Sequence, residues 1–211
     1  MNNQLGKRTY LEVGERRQQL LDSAVAVMIE DGVSALSLRT VAHRADVAHR
    51  VVTYAFGSKA ALVSALLQRE SRRLVEQSWS EPLLDVPLGP AVAAALRALI
   101  EQVRANPRLH ECLAELAVTA RATPALLEAA QAEAEAYRGD IVARVEEWCR
   151  IRGTELLLPI GTVAAALQAA AGGVVDWWLS TRDDALVEPI IDVFAAGFAE
   201  MPHAPVEGRR P

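Results

Sequence analysis

The stretch from Gly14 to Leu67 constrains the fold most, because turn signals divide it into a run of amphipathic helical pieces. Leu20, Leu21, Ala24, Val25 and Met28 recur at helical spacing, so a first helix is predicted over Gly14–Asp31, with Gly32 as its stop. Ser37 stands where an N-cap is needed, ahead of a second helix, Leu38–Ala45, whose Leu38, Val41, Ala42 and Ala45 share a face. "ADV" then serves as a tight turn, a third helix of about eight residues follows, and Ser58 in "GSK" caps a long fourth one with Leu62, Leu66 and Leu67 on its inner face.

The third piece ends in "VVTYAF", Val51 to Phe56, which favours a strand by local propensity. Its neighbours decide otherwise. On a helix, Ala48, Val52, Ala55 and Phe56 fall on one face, and His49, Arg50, Thr53 and Tyr54 on the other. A strand would leave Val51 on the polar side and would have no partner strand. A short helix presenting a cation, an imidazole, a hydroxyl and a phenol suits hydrogen bonding in the DNA major groove, and the order helix, turn, helix is the docking arrangement that puts the second helix there.

Charge supports the same division. The chain of 211 residues is net −5, but residues 1–73 carry 11 Lys+Arg against 7 Asp+Glu, while residues 74–211 carry 11 against 20. A basic first third joined to an acidic remainder implies two parts with different partners. The composition is 51% hydrophobic, 5% aromatic and rich in alanine, which favours an all-α chain.

Arg16 to Leu67 resembles the DNA-binding domain of the TetR family of bacterial transcription regulators, on "LLDSA", Gly32, "LSLRTVA", "ADV" and "YAFGSKAAL" in order and with spacing intact. The resemblance implies a three-helix DNA-binding head, a larger helical ligand-binding and dimerisation body, and an obligate dimer. It places Ser37 and Arg39 at the contacting start of the second helix, His49 and Arg50 at base-reading positions, and Tyr54 and Lys59 at phosphate-contacting positions, with Thr53 as a shorter phosphate contact. This chain has Asp46 where many members have Gly, Ala48 where they have a capping Ser or Thr, and Thr53 and Ala55 where Tyr and His are common. The expected partners are double-stranded DNA bearing a palindromic operator, a second copy of the chain, and a small lipophilic effector, neutral or cationic.

Beyond the proline-rich "SEPLLDVPLGP" the spacing predicts helices over Ala91–Ala105, from Pro107, from Pro124 to Gly153, over Pro159–Leu179 and over Pro189–Glu200. The expected domains are a flexible arm (1–12), the head (13–58), the body (59–201) and a disordered tail (202–211). Cys112, Leu113, Leu116, Tyr137, Ile141, Trp148 and Trp178 are candidates for the effector cavity. Gly161, Ala165, Ala169 and Gly173 form a row of small residues, followed by Trp177, and with Ile190, Phe194, Gly197 and Phe198 they are candidates for a dimer interface built from the last two helices.

No phosphate-binding glycine loop, CxxC, HExxH or nucleophile-elbow pattern occurs, and the four histidines lack metal-ligand spacing, so neither catalysis nor a cofactor or metal is expected. Two cysteines fit a reduced cytoplasmic protein. The N-terminus lacks an apolar signal core, and no charge-free apolar run reaches membrane-spanning length, so neither export nor a membrane partner is expected. Two rival readings are a redox sensor acting through Cys112 or Cys149 and a helical interaction module that has lost DNA binding.

Overall fold

Side-chain caps and left-handed residues divide the chain where the sequence signals fall. The computed structural model describes residues 3–79 and 85–205. Its elements are α1 (Asn3–Asp31), a 3₁₀ turn (Val33–Ala35), α2 (Leu38–Arg44), α3 (His49–Phe56), α4 (Lys59–Ser78), α5 (Leu88–Ala105), α6 (Pro107–Ala122), α7 (Pro124–Arg152), β1 (Thr154–Leu156), α8 (Ile160–Thr181), α9 (Asp184–Ala199) and β2 (His203–Pro205). Gly32 and Gly57 end α1 and α3 with φ of 88° and 75°, a region that costs glycine little. Pro107 and Pro124 open α6 and α7 as expected, each filling a first-turn position whose N–H would have no helical partner.

The chain forms two compact units, Met1–Arg69 with Arg108–Glu133, and Glu70–Pro107 with Ala134–Pro211. They cut differently from the expected boundary after residue 58. In the first unit Leu20, Met28, Leu36, Val41, Val52, Leu62 and Leu66 share a core with Leu116 and Cys112, so the first half of α4 and α6 from Arg108 onward join the helix–turn–helix. In the second unit α5 packs along α9 and α8 around Val92, Ile100, Val103, Val145, Trp148, Val163, Val174 and Ile191. Gly89 permits the α5–α9 approach: a Cβ there would lie 2.7 Å from Ala199 Cβ and 2.8 Å from the Ala195 carbonyl oxygen.

Three expectations need correction. Helix α1 starts at Asn3, so residues 3–12 of the segment expected as an arm are helical, and residues 1–2 lie outside the described residues. Helix α9 starts at Asp184 instead of Pro189, because Asp183 Oδ1 accepts from the Ala185 and Leu186 amides at 2.9 and 3.1 Å and Val187 is fully buried. Pro189 therefore lies inside the helix. The tail is ordered over His203–Pro205, which pairs antiparallel with Thr154–Leu156, tied further by the Thr154 hydroxyl donating to the Ala204 carbonyl at 3.0 Å. Residues 206–211 of that tail lie outside the described residues. Helix α8 has the length and hydropathy of a membrane span, but it carries Asp176 and buries Val163, Leu167, Val174 and Trp178 in the core of its unit.

Candidate nucleic-acid interface and effector cavity

Helix α3 divides as its sequence pattern requires. Val52 is fully buried and Phe56 nearly so, while His49, Arg50, Thr53 and Tyr54 are exposed, Tyr54 to 87%. Ala48 departs from the expected inner face: it is the exposed N-cap residue, with extended backbone and no side-chain cap. Helix α2 is held differently. Ser37 Oγ accepts from the Thr40 amide at 3.1 Å, and Thr40 Oγ1 accepts from the Ser37 amide at 3.0 Å. Thr40 completes this box and was not singled out from the sequence; the S-x-x-T spacing is its signal. The Ser37 hydroxyl is thus engaged in capping and half-buried, and the Thr53 hydroxyl donates to the His49 carbonyl at 3.1 Å, which leaves it only acceptor capacity toward a phosphate.

Six cations of this unit fall into two groups. Arg17, on α1, donates to the Ala55 carbonyl at 2.5 Å and lies 4.5 Å from the Phe56 ring centroid, so it ties down the last turn of α3. Arg44 pairs through both terminal nitrogens with Glu30, and Arg69 with Asp22 at 2.7 Å. Arg39, Arg50 and Lys59 are exposed and have no acidic partner among the described residues. Three cations are therefore spent on holding the helices, and three flank or occupy the outward face of the helix–turn–helix.

The second unit contains an apolar cavity of about 30 Å³. Leu74, Ser78 and Trp79 line it from α4 and the residue after it, Leu96 and Leu99 from α5, Tyr137 and Ile141 from α7, and Ala171 from α8. Of the sequence candidates, Tyr137 and Ile141 are at this wall. Cys112, Leu113 and Leu116 are not: they pack in the first unit, where α6 buries its apolar stripe. Trp148 is buried, donates its indole N–H to the Val86 carbonyl at 2.8 Å, and borders a separate surface cleft. Trp178 is a strut, its N–H donating to Asp184 at 2.8 Å and its ring stacked by Arg182 and Arg104. That N–H, followed by Arg104, holds the Asp184 carboxyl below its ordinary range. The contribution of α4 was missed because its wall residues look like any apolar helix stripe.

Gly161, Ala165, Ala169 and Gly173 are all exposed along α8, and a Cβ on either glycine would meet open space. Trp177, Ile190 and Phe194 are half-buried against their own unit, and Gly197 is exposed. Phe198 is a correction, since it is buried in the core of its own chain. Val193 and Leu186 of α9 are exposed to 73% and 51% and extend the apolar surface.

Among the described residues no three His, Cys, Asp or Glu come together as a metal site. Cys112 is buried with its thiol directed at the Met28 carbonyl, 3.3 Å away, and burial pushes the thiols of Cys112 and Cys149 above their usual range. Both changes oppose thiolate chemistry, so the redox reading gains no support.

Residues 20–66 match the family model described as bacterial regulatory proteins, tetR family. The chain is 37% identical over 68 residues to the HTH-type transcriptional repressor KstR of Rhodococcus jostii, 32% of each chain. It is 31% identical over 111 residues to KstR of Mycolicibacterium smegmatis, 53% of this chain and 54% of that one. These matches thus span from a third to about half the length of the curated relatives. The multidrug binding protein EbrR, solved with imidazole, has a TM-score of 0.65 at 28% identity over 89% of this chain and 90% of its own. A Rhodococcus transcriptional regulator shares the fold at a TM-score of 0.64 and 22% identity, over 88% and 99%. Residues 20–66 therefore carry the helix–turn–helix of the tetR family, within an all-α architecture shared with EbrR.

Proposed function

We propose that the chain is a transcription repressor that binds a palindromic operator as a homodimer in the cytoplasm and is released by a small lipophilic effector. The observation that carries this reading is the face of α3: His49, Arg50 and Tyr54 stand clear of the core, with Arg39 and Lys59 likewise exposed and without an acidic partner among the described residues. Arg50 and His49 read base edges. Arg39, Tyr54 and Lys59 hold the phosphates. Ser37 and Thr53 contribute as acceptors or through rearrangement of their present hydrogen bonds. The exposed small residues of α8, with Val193 and Leu186, support α8 and α9 as the face for a second copy, since such a row lets helices approach closely. KstR is described as a repressor, and EbrR has been solved with ethidium and with proflavin, which supports repression and effector binding here.

The cavity is the effector site in this reading. Helix α4 carries Lys59 near its start and Leu74 and Ser78 near its end, so a ligand that shifts the end of α4 acts on a segment covalently continuous with the head. Coupling of this kind is commonly worth ~1–3 kcal/mol. A mobility-shift assay on the DNA upstream of the gene tests the reading. Arg50→Ala should weaken binding by about 1–3 kcal/mol, roughly 5- to 150-fold, and relax preference at one base pair. Lys59→Ala should lower affinity evenly across sequences and flatten the salt dependence. Retention of full affinity by Arg50→Ala and Arg39→Ala at physiological salt would refute the site, and no retention of any DNA by the native chain would favour a helical interaction module.

A further inference from the structure

The wall of the cavity in the second unit has a chemistry of its own. None of its lining residues carries a charge, and the wall is made by Leu74, Trp79, Leu96, Leu99 and Ile141 with small alanines between them. Moving a permanent cation from water to such a surface is costly unless an acid meets it. The buried acid of this unit nearest in sequence is Glu70, one turn before Leu74; it is not part of the wall and already has an interaction of its own.

Three wall residues carry a polar group, Ser78, Trp79 and Tyr137, and Tyr137 already has an interaction of its own. Ser78 is only 6% exposed, and its hydroxyl oxygen accepts from Gln102 Nε2 at 3.0 Å. Among the described residues the Ser78 proton finds no acceptor and the buried Gln102 Oε1 no donor. Turning the amide over lets the Ser78 hydroxyl donate to Gln102 Oε1 and leaves Nε2 unpartnered instead, so one vacancy remains in either orientation. Buried polar groups in native proteins are paired, and Gln102, which does not line the cavity but is bonded to its wall residue Ser78, leaves an orphan that a partner from outside the chain can meet. A cavity of about 30 Å³ holds a water or two, far below the space that a drug-sized ligand fills, so an effector must widen it.

We infer that the effector is an uncharged, largely apolar molecule whose single hydrogen-bonding oxygen, a hydroxyl or a carbonyl, lodges against Ser78 and Gln102, and that cationic drugs are excluded. The inference rests on the reading of this cavity as the effector site. Ser78 and Gln102 set the orientation: the oxygen points to the end of α4 while the carbon skeleton displaces Trp79 and Tyr137.

The test uses the full chain and displacement of the neutral fluorophore N-phenyl-1-naphthylamine. The competitors are 1-naphthol, 1-methylnaphthalene (the same shape without the hydroxyl) and ethidium. The native chain should bind 1-naphthol at least tenfold more tightly than 1-methylnaphthalene and should not release the fluorophore to ethidium at hundredfold higher concentration. Ser78→Ala should shrink the tenfold preference to less than threefold, and Ser78→Thr, which keeps a hydroxyl, should restore it. Ethidium competing as well as 1-naphthol, a preference unchanged in Ser78→Ala, or failure of the neutral compounds to bind would each overturn the inference. A parallel mobility-shift assay separates it from the reading beneath it. If 1-naphthol binds with the Ser78 dependence but leaves retained DNA unchanged, the cavity chemistry stands and its role as effector site falls. If ethidium releases the DNA and Leu99→Trp, which fills the cavity, prevents this, the site stands and the inference falls.

Discussion

Helices α2 and α3 are neighbours of almost equal length, yet they are stabilised in opposite ways. Helix α2 is fixed at its start by the reciprocal bonds of Ser37 and Thr40 and braced by Arg44 against Glu30. Helix α3 starts at Ala48 with no side-chain cap and is held by what lies beneath it and at its end: Val52, Phe56 and the Arg17 clamp on the Ala55 carbonyl. A supporting helix can use its polar groups internally. A helix that points His49, Arg50 and Tyr54 outward has few polar groups left for itself, so its stability comes from tertiary contacts, which also hold its β-branched run helical.

The largest effect follows from that dependence. Phe56→Ala removes the buried ring and the stacking surface of Arg17, and the loss of stability should be about 3–5 kcal/mol in the first unit. Chemical denaturation followed by amide exchange in residues 49–56 would measure it. Exchange in α3 accelerating while α2 stays protected would sharpen the contrast; equal acceleration would erase it.

Next come the two local fastenings. Ser37→Ala should cost about 1 kcal/mol, with the opening of α2 preceding that of α3. Arg17→Ala should also cost about 1 kcal/mol, through the lost carbonyl bond and ring contact, and should loosen the last turn of α3 while leaving α2 unchanged. If Arg17→Ala instead weakens DNA binding with no change in α3 exchange, then Arg17 acts on the DNA and not on the helix.

These fastenings mark how far the sequence was legible. The apolar stripes, Ser37, Ser58, Gly32 and the pattern of α3 are local signals, and each structural element they imply is present. Arg17 was not legible in this role, because the partner it holds lies 38 residues away and exposed arginines have no sequence pattern that reveals a carbonyl acceptor. In the second unit, Tyr137 and Ile141 were identified from helical spacing, but Ser78 and the end of α4 were not, since a cavity wall is a property of how stripes meet. The partition of α6 into the first unit was hidden for the same reason: its Cys112 and Leu116 look apolar whichever core they enter.

Ala48→Ser tests the contrast from the other side, by giving α3 what α2 already has. Ala48 has the extended φ and ψ of −64° and 140° that an N-cap residue uses, so a hydroxyl there can accept from an amide two or three residues on. Stability should rise by about 0.5–1 kcal/mol, and amide exchange at the start of α3 should slow. No gain would mean that the first amides of α3 are already satisfied by water at no cost.

The smallest effect belongs to the turn that joins the two helices. Asp46 has φ of 52°, a left-handed backbone stabilised by its amide bond to the His43 carbonyl at 3.2 Å and that of Val47 to Ala42 at 3.0 Å. Asp46→Gly relieves a strain of about 1 kcal/mol, less for Asp than for most residues, and adds a similar entropy to the unfolded chain. The two nearly cancel, and the net change should be within about 0.5 kcal/mol. Asp46→Ala keeps the strain and loses the polar side chain that tolerates it, so it should destabilise by about 1 kcal/mol. A thermal melt that ranks Gly and Asp together, above Ala, would assign the turn to backbone conformation alone. If Asp stands well above Gly, its carboxylate helps hold the turn, and the uncapped start of α3 then has a nearby acid in partial substitute for a cap.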